Sequence, residues 1–199
     1  MIQSRREFLA TAKNGLLLGI AGGSVTSFAA KFNPSPDFSP SDYLSILPSG
    51  AVRVFVGQGE MGQDIFSGLA MLIAEELNTP LDQVEVVAAP VAPAFGNSFF
   101  PGSPQMTAAS SSMKVFYLPY RTAGATARQM LGKAVSNLLA QPVNKIALKS
   151  GEVICDDREH IPFISVLPIL ADTPIPSSVE LKDPSEFEII GTPQRGIDV

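Results

Sequence analysis

The sequence predicts an α+β fold, a layer in which a strand, a glycine turn, a helix and a second strand follow in close succession. Three observations carry that expectation. Ala51-Val52-Arg53-Val54-Phe55-Val56 alternates as a half-buried strand does. Gly57-Gln58-Gly59-Glu60-Met61-Gly62-Gln63 follows as a glycine-rich turn. Residues 64–78 then place Ile65, Leu69, Leu72, Ile73 and Leu77 on one helical stripe, with Glu75 and Glu76 towards the other, solvated face.

The elements follow in order. Residues 1–30 read as an export signal, because Arg5-Arg6 precedes an apolar run diluted by Gly15, Gly19, Gly22 and Gly23, which small residues close at Ser27, Ala29 and Ala30. The adjacent arginines make it the twin-arginine kind and imply a periplasmic destination. The run is short for a span, which needs about 20 apolar residues. Residues 31–50, with Pro34, Pro36, Pro40 and Pro48, read as a Pro/Ser-rich linker in which Tyr43, Leu44 and Ile46 can dock as an edge strand. A domain over 51–171 follows. Asp64 is placed as the N-cap of the first helix, and Asn78-Thr79-Pro80 ends it. Gln83-Val84-Glu85-Val86-Val87 is the second strand.

Residues 90–112 form a long loop with four prolines, in which Phe95, Phe99 and Phe100 favour packing over disorder. A second helix is expected over residues 121–140, with Ala127, Leu131, Val135, Leu138 and Leu139 inward. Residues 145–149 and 152–155 flank Ser150-Gly151 as a hairpin. A short helix covers 162–170, and residues 172–199 read as a linker.

Composition narrows the chemistry. The formal net charge is −5; losing Arg5, Arg6, Lys13 and Glu7 with the signal leaves 11 of 14 basic and 18 of 19 acidic side chains, a net −7. An acidic surface without a basic cluster argues against nucleic acid and anionic membranes. Cys155 and His160 are the sole cysteine and histidine, so an internal disulfide and His/Cys metal clusters are excluded. His160 sits in Asp156-Asp157-Arg158-Glu159-His160, expected as a solvated loop. The six methionines are dispersed, and Ser110-Ser111-Ser112 has no base placed near it by sequence.

The candidate site is the glycine turn, whose amides can approach an anionic ligand at a helix start. It fits neither the Walker pattern nor a dinucleotide fingerprint, and a plain strand-to-helix connection accounts for it equally well. Longer strings add to this. Glu60-Met61-Gly62-Gln63, Ser67-Gly68-Leu69-Ala70-Met71-Leu72-Ile73-Ala74-Glu75-Glu76-Leu77, Asp82-Gln83-Val84-Glu85-Val86, Pro93-Ala94-Phe95-Gly96-Asn97, Thr107 with Ser110-Ser111-Ser112, and Ala123-Gly124-Ala125-Thr126-Ala127-Arg128 occur in register. In these the chain resembles the N-terminal part of the molybdopterin-binding (beta) subunit of isoquinoline 1-oxidoreductase-like enzymes, in the xanthine and aldehyde dehydrogenase superfamily. Leu181-Lys182-Asp183-Pro184-Ser185-Glu186-Phe187 resembles that family's link to its next domain.

The resemblance implies a molybdopterin-binding domain, truncated relative to the family, and a molybdopterin-type molybdenum cofactor held by two loops. Gly62, Gln63 and Asp64 match the loop beside molybdenum, where the glutamine amide meets an oxo or sulfido ligand. Thr107, Ala108, Ala109, Ser110 and Ser111 match the loop that cradles the pterin and its phosphates. The implied reaction is an oxidoreductase one, adding water-derived oxygen to an N-heterocycle or aldehyde. The implied partners are an iron–sulfur small subunit and a chain supplying the remaining large-subunit domains. The family's general base lies outside the matched part, and no residue here is assigned a catalytic or metal-ligating role. Asp64 departs from a family glycine, and Ala108-Ala109 from a Gly-Gly pair. A carboxylate about 4 Å from a phosphate costs roughly 1 kcal/mol in water. The alternative is a non-catalytic remnant or binding module of the same fold that has lost the cofactor.

Overall fold

The computed structural model describes residues 38–156, 159–170 and 173–197. The export signal expected at 1–30 and the first residues of the expected linker lie outside the described residues. The remainder of that linker is not free chain. Phe38–Ser41 forms β1 and Leu44–Ile46 forms β2, and β2 lies between β1 and β3 rather than at the sheet edge. Leu44, Ser45 and Ile46 are all fully buried, so both faces of this strand are covered.

The strand β3 spans Val52–Val56 and buries Val52, Val54 and Val56 by simple alternation. It pairs antiparallel with β2 and parallel with β4 (Val84–Ala88), Val52 opposite Val84 and Val56 opposite Ala88. A parallel pair requires a crossover, and α1 (Ile65–Leu77) supplies it, with Leu69, Ile73 and Leu77 wholly buried. The expected strand–turn–helix–strand layer is therefore present, in a mixed four-stranded sheet.

The second helix, α2 (Ser112–Leu139), begins nine residues before the expected start at Arg121. Pro119 lies inside it, and an interior proline removes a helical hydrogen bond. Packing outweighs that loss. Phe116 and Tyr120 are buried, the Tyr120 ring lies 4.7 Å from Tyr43, and its hydroxyl donates to the Phe55 carbonyl at 2.6 Å. Close approach of α1 and α2 depends on Gly124, where an added Cβ would meet Glu76 Cβ at 2.8 Å and the Ile73 carbonyl oxygen at 3.1 Å.

A second, antiparallel sheet follows, of β5 (Ile146–Lys149), β6 (Glu152–Cys155) and β7 (Glu159–Pro162). Ser150 and Gly151 both take positive φ, 51° and 78°, as a tight hairpin turn requires. His160 lies in β7 rather than in the expected loop. Its side chain is exposed, and Nδ1 sits 2.9 Å from Glu152 Oε2 across the strand pair. The short helix α3 (Phe163–Leu170) closes this part.

Glu75 and Glu76 differ most from expectation. Both have zero exposure, because residues 180–190 lie over the face read as solvated. Glu75 accepts from Lys182 Nζ at 2.9 Å and from the N–H groups of Ile189 (2.7 Å) and Ile190 (2.9 Å). Glu76 accepts from Arg121 and Arg128. Buried charge is tolerated where it is paired and hydrogen-bonded, and the helical stripe alone does not reveal those partners. Lys182, Ile189, Ile190 and Ile197 of the expected linker thus pack against the domain. Among the described residues no helix is long and apolar enough to cross a membrane.

Candidate cofactor site

Where β3 ends, Gly57 packs against the long loop so closely that a Cβ would sit 2.4 Å from Phe95 Cβ. The Gln105 side chain donates to its carbonyl at 3.3 Å, and Tyr43 Oη donates to the Ala94 carbonyl at 2.7 Å. Phe95 is buried, while Phe99 is exposed and Phe100 half-buried. These contacts seat the proline-rich loop against the turn. The two segments expected to form the site are consequently adjacent: Gly59 N–H donates to Thr107 Oγ1 at 2.7 Å.

The turn itself is filled from within. Glu60 Oε1 accepts from Met61 (3.1 Å), Gly62 (2.9 Å) and Asp64 (3.0 Å) N–H, and Oε2 accepts from Phe66 N–H at 3.2 Å. Desolvation acts to raise the Glu60 pKa, but N–H donors from Phe66, Asp64, Gly62 and Ile65 outweigh it and hold the carboxyl below its ordinary value. Gln63 folds back onto the same turn. Its Oε1 accepts from Met61 N–H at 2.6 Å and its Nε2 donates to the Gly59 carbonyl at 2.8 Å. Gln58 is 2% exposed, and among the described residues neither atom of its amide has a partner.

Asp64 occupies the N-cap position as expected, but its side chain caps nothing. Its backbone is left-handed (φ 59°), a conformation glycine adopts freely, and its carboxylate accepts from Ser67 Oγ at 2.5 Å. Ser67 Oγ in turn accepts from Ile197 N–H at 2.8 Å. Glu60, four residues before the N-cap position, does the capping that the sequence assigned to Asp64. A carboxylate just ahead of a helix start was the available signal, and a glycine-rich backbone lets it reach back.

The second loop is more open. Ala109 and Ser110 both have positive φ, 55° and 50°, and both are exposed. Ser111 is buried, donating through Oγ to the Ala108 carbonyl at 2.8 Å and accepting from Asn97 Nδ2 at 2.7 Å. Its side chain does not cap α2, which starts at the next residue. Thr107 and Ala108 are half-buried beneath this bend. Gly62, Gln63, Asp64, Thr107, Ala109 and Ser110 therefore lie at the surface in two touching loops, while Ser111 serves the loop's own fold. A concavity of about 720 Å³ lies elsewhere, between Asn78-Thr79-Pro80, Lys149-Ser150 and the segment ending at Ile197. Among the described residues no group of His, Cys, Asp or Glu is placed to hold a metal ion.

A family model described as a molybdopterin cofactor-binding domain matches residues 2–178. The beta subunit of isoquinoline 1-oxidoreductase from Brevundimonas diminuta is 31% identical over 156 residues, 76% of this chain and 20% of that protein. A nicotinate dehydrogenase subunit of Pseudomonas putida is 25% identical over 208 residues, 100% of this chain and 16% of that protein. A membrane-bound aldehyde dehydrogenase (pyrroloquinoline-quinone) of Gluconacetobacter polyoxogenes is 28% identical, with 98% and 26% covered. Among solved structures, quinoline 2-oxidoreductase from Pseudomonas putida 86 aligns with a TM-score of 0.49 at 21% identity, over 69% of this chain and 17% of that one. The chain thus spans about a quarter or less of the length of these curated relatives. With the domain model matching most of its residues, the chain belongs to the family of molybdopterin cofactor-binding domains.

Proposed function

We propose that this chain is the N-terminal portion of an exported molybdenum hydroxylase large subunit and supplies one wall of its cofactor site. The family's cofactor is a molybdopterin-type molybdenum cofactor. The reaction proposed is oxidation of an N-heterocycle or aldehyde with oxygen taken from water. An iron–sulfur subunit would take the electrons, and the remaining large-subunit domains would complete the site. The reading is supported above all by the Gly59–Thr107 hydrogen bond, which joins the two loops the family would use.

The residues fit that group unevenly. The Ala109–Ser110 bend offers an exposed hydroxyl and an uncapped helix start, both suited to an anionic group. The glycine turn does not fit as it stands, because its amides already hold Glu60 and its glutamine amide is bonded to the turn. No chemical step is therefore assigned to this chain. Its part is to bind and orient. Purified with its companion chains, the protein should contain molybdenum and pterin in stoichiometric amounts. Their absence from a folded, assembled sample would sink the reading.

The filled turn and Ala109 in a left-handed bend favour a second reading, a binding module of the same fold that has lost the cofactor. On that reading, Asp64→Gly with Ala108→Gly and Ala109→Gly leaves cofactor uptake at nil. Uptake restored by the triple replacement removes it.

A further inference from the structure

We propose that Glu60 is a built-in anion that keeps the glycine turn closed, and that an oxyanion gains the turn's amides only when this carboxylate leaves. The inference rests on the family reading for which oxyanion matters, a phosphate or a metal-bound oxo group. The closed turn is a property of this chain's own residues.

The groups that would receive an external anion at this helix start are the N–H groups of Gly62, Asp64 and Phe66. All three donate to one carboxylate, at 2.9, 3.0 and 3.2 Å. Backbone amides that converge in this way make an anion-binding concavity, or nest. A tethered carboxylate reaches it at high effective concentration, so a free anion competes at a disadvantage. Gln63 reinforces the closure by spanning from Met61 N–H to the Gly59 carbonyl. Swinging this amide away from the turn breaks both bonds.

A separate observation points to a second arrangement of the same loop. Gln58 precedes Glu60 by two residues and buries both amide atoms without a partner among the described residues. Leaving such groups unsatisfied is unfavourable, and a rearranged turn that returns the amide to a partner removes that cost. Glu60 lies at the exposed surface, so its carboxylate can move into water without opening the core.

Molybdate is a suitable probe, being a small tetrahedral oxyanion, with sulfate beside it. In the full chain, the amide signals of Gly62, Asp64 and Phe66 should show no saturable shift with molybdate. In Glu60→Ala the same signals should saturate, with binding at least about tenfold tighter and weakened by added salt. Glu60→Gln keeps the side chain's shape without its charge and should fall between. If Ile189 and Ile190 lose their amide signals in Glu60→Ala, that variant has unfolded and Glu60→Gln carries the comparison alone. Equal molybdate binding by wild type and the folded variant overturns the proposal, and so does no binding by either. A sample that lacks molybdenum and pterin but passes this test defeats the cofactor-site reading and leaves the closed turn standing.

Discussion

The Glu76 carboxylate lies between two arginines of the neighbouring helix, 2.6 Å from Arg121 Nη2 and 2.7 Å from Arg128 Nη1, with no exposure of its own. Arg121 is itself buried, lies 4.9 Å from the centre of the Phe187 ring and donates to the Lys182 carbonyl. One ion cluster thus joins α1, α2 and the C-terminal segment. Its worth lies in the cost of breaking it. Glu76→Gln leaves Arg121 buried opposite a neutral amide and should lower the unfolding free energy by about 3–5 kcal/mol. That is a large part of the ~5–15 kcal/mol available to a domain. Urea unfolding measures it. A midpoint unchanged in Glu76→Gln would mean the cluster is open to water. The double replacement Glu76→Leu with Arg121→Met should recover part of the loss.

Glu75 gives a pH dependence of definite sign. Desolvation acts to raise its pKa, but the Lys182 ammonium and the N–H groups of Ile190, Ile189 and Glu188 outweigh it and hold the carboxyl below its ordinary range. A carboxyl lowered on folding stabilises above its unfolded value, about 4.3, and that contribution fades as the pH falls through the folded value. The Ile189 and Ile190 amides should therefore stay protected from neutral pH down to about 5 and lose protection below about 4. Hydrogen exchange across that range reads it. A Glu75 carboxyl that titrates above the ordinary range would contradict the clasp.

The strand, turn, helix and strand were legible because each rests on a local pattern: Val52, Val54 and Val56 alternate, and Leu69, Ile73 and Leu77 repeat helically. The first turns of α2 were not, because Pro119 and the aromatic run around it argue locally against a helix. Only the tertiary partners of Phe116 and Tyr120 reverse that. Glu75 and Glu76 failed for a similar reason, since their partners lie more than forty residues away. In the site, proximity of the two loops was implied by resemblance, and the structure joins them through the Gly59–Thr107 hydrogen bond. Occupation of the turn by Glu60 was not legible, because sequence shows which donors a loop offers and not which acceptor already has them.

Gly124 separates packing from propensity. In an exposed helix, glycine to alanine gains about 1 kcal/mol. Here the new Cβ would press on Glu76 Cβ at 2.8 Å and on the backbone oxygen of Ile73 at 3.1 Å, and backbone cannot swing aside. Gly124→Ala should therefore destabilise by roughly 1–3 kcal/mol through overpacking. Thermal unfolding decides the sign, and a raised midpoint would show that the helices are further apart than described.

Export follows from Arg5-Arg6 if the leader is of the twin-arginine kind. Arg5→Lys with Arg6→Lys should hold the chain in the cytoplasm while leaving expression unchanged, as fractionation and immunoblotting would show. Unimpeded export of the double variant would assign the leader to another route. Fusion of residues 1–30 to a reporter that crosses only when folded gives an independent reading.

Ala109 tests whether the second loop stores strain where the family pattern has glycine. Its φ of 55° puts the methyl group near the following carbonyl, at a cost of roughly 1–2 kcal/mol, and no side-chain hydrogen bond offsets this as one can for Asp64. Glycine relieves the strain but loses more freedom on folding, about 0.5–1 kcal/mol. Ala109→Gly should therefore raise stability by up to ~1 kcal/mol, seen as a higher urea midpoint with an unchanged slope. Asp64→Gly should gain less, because the same relief is set against loss of the Ser67 hydrogen bond. A stabilised Ala109→Gly would mean that this position holds its bend at a cost the family glycine avoids. Destabilisation would mean that the alanine methyl makes contacts that outweigh the strain, and that the bend differs from the one described.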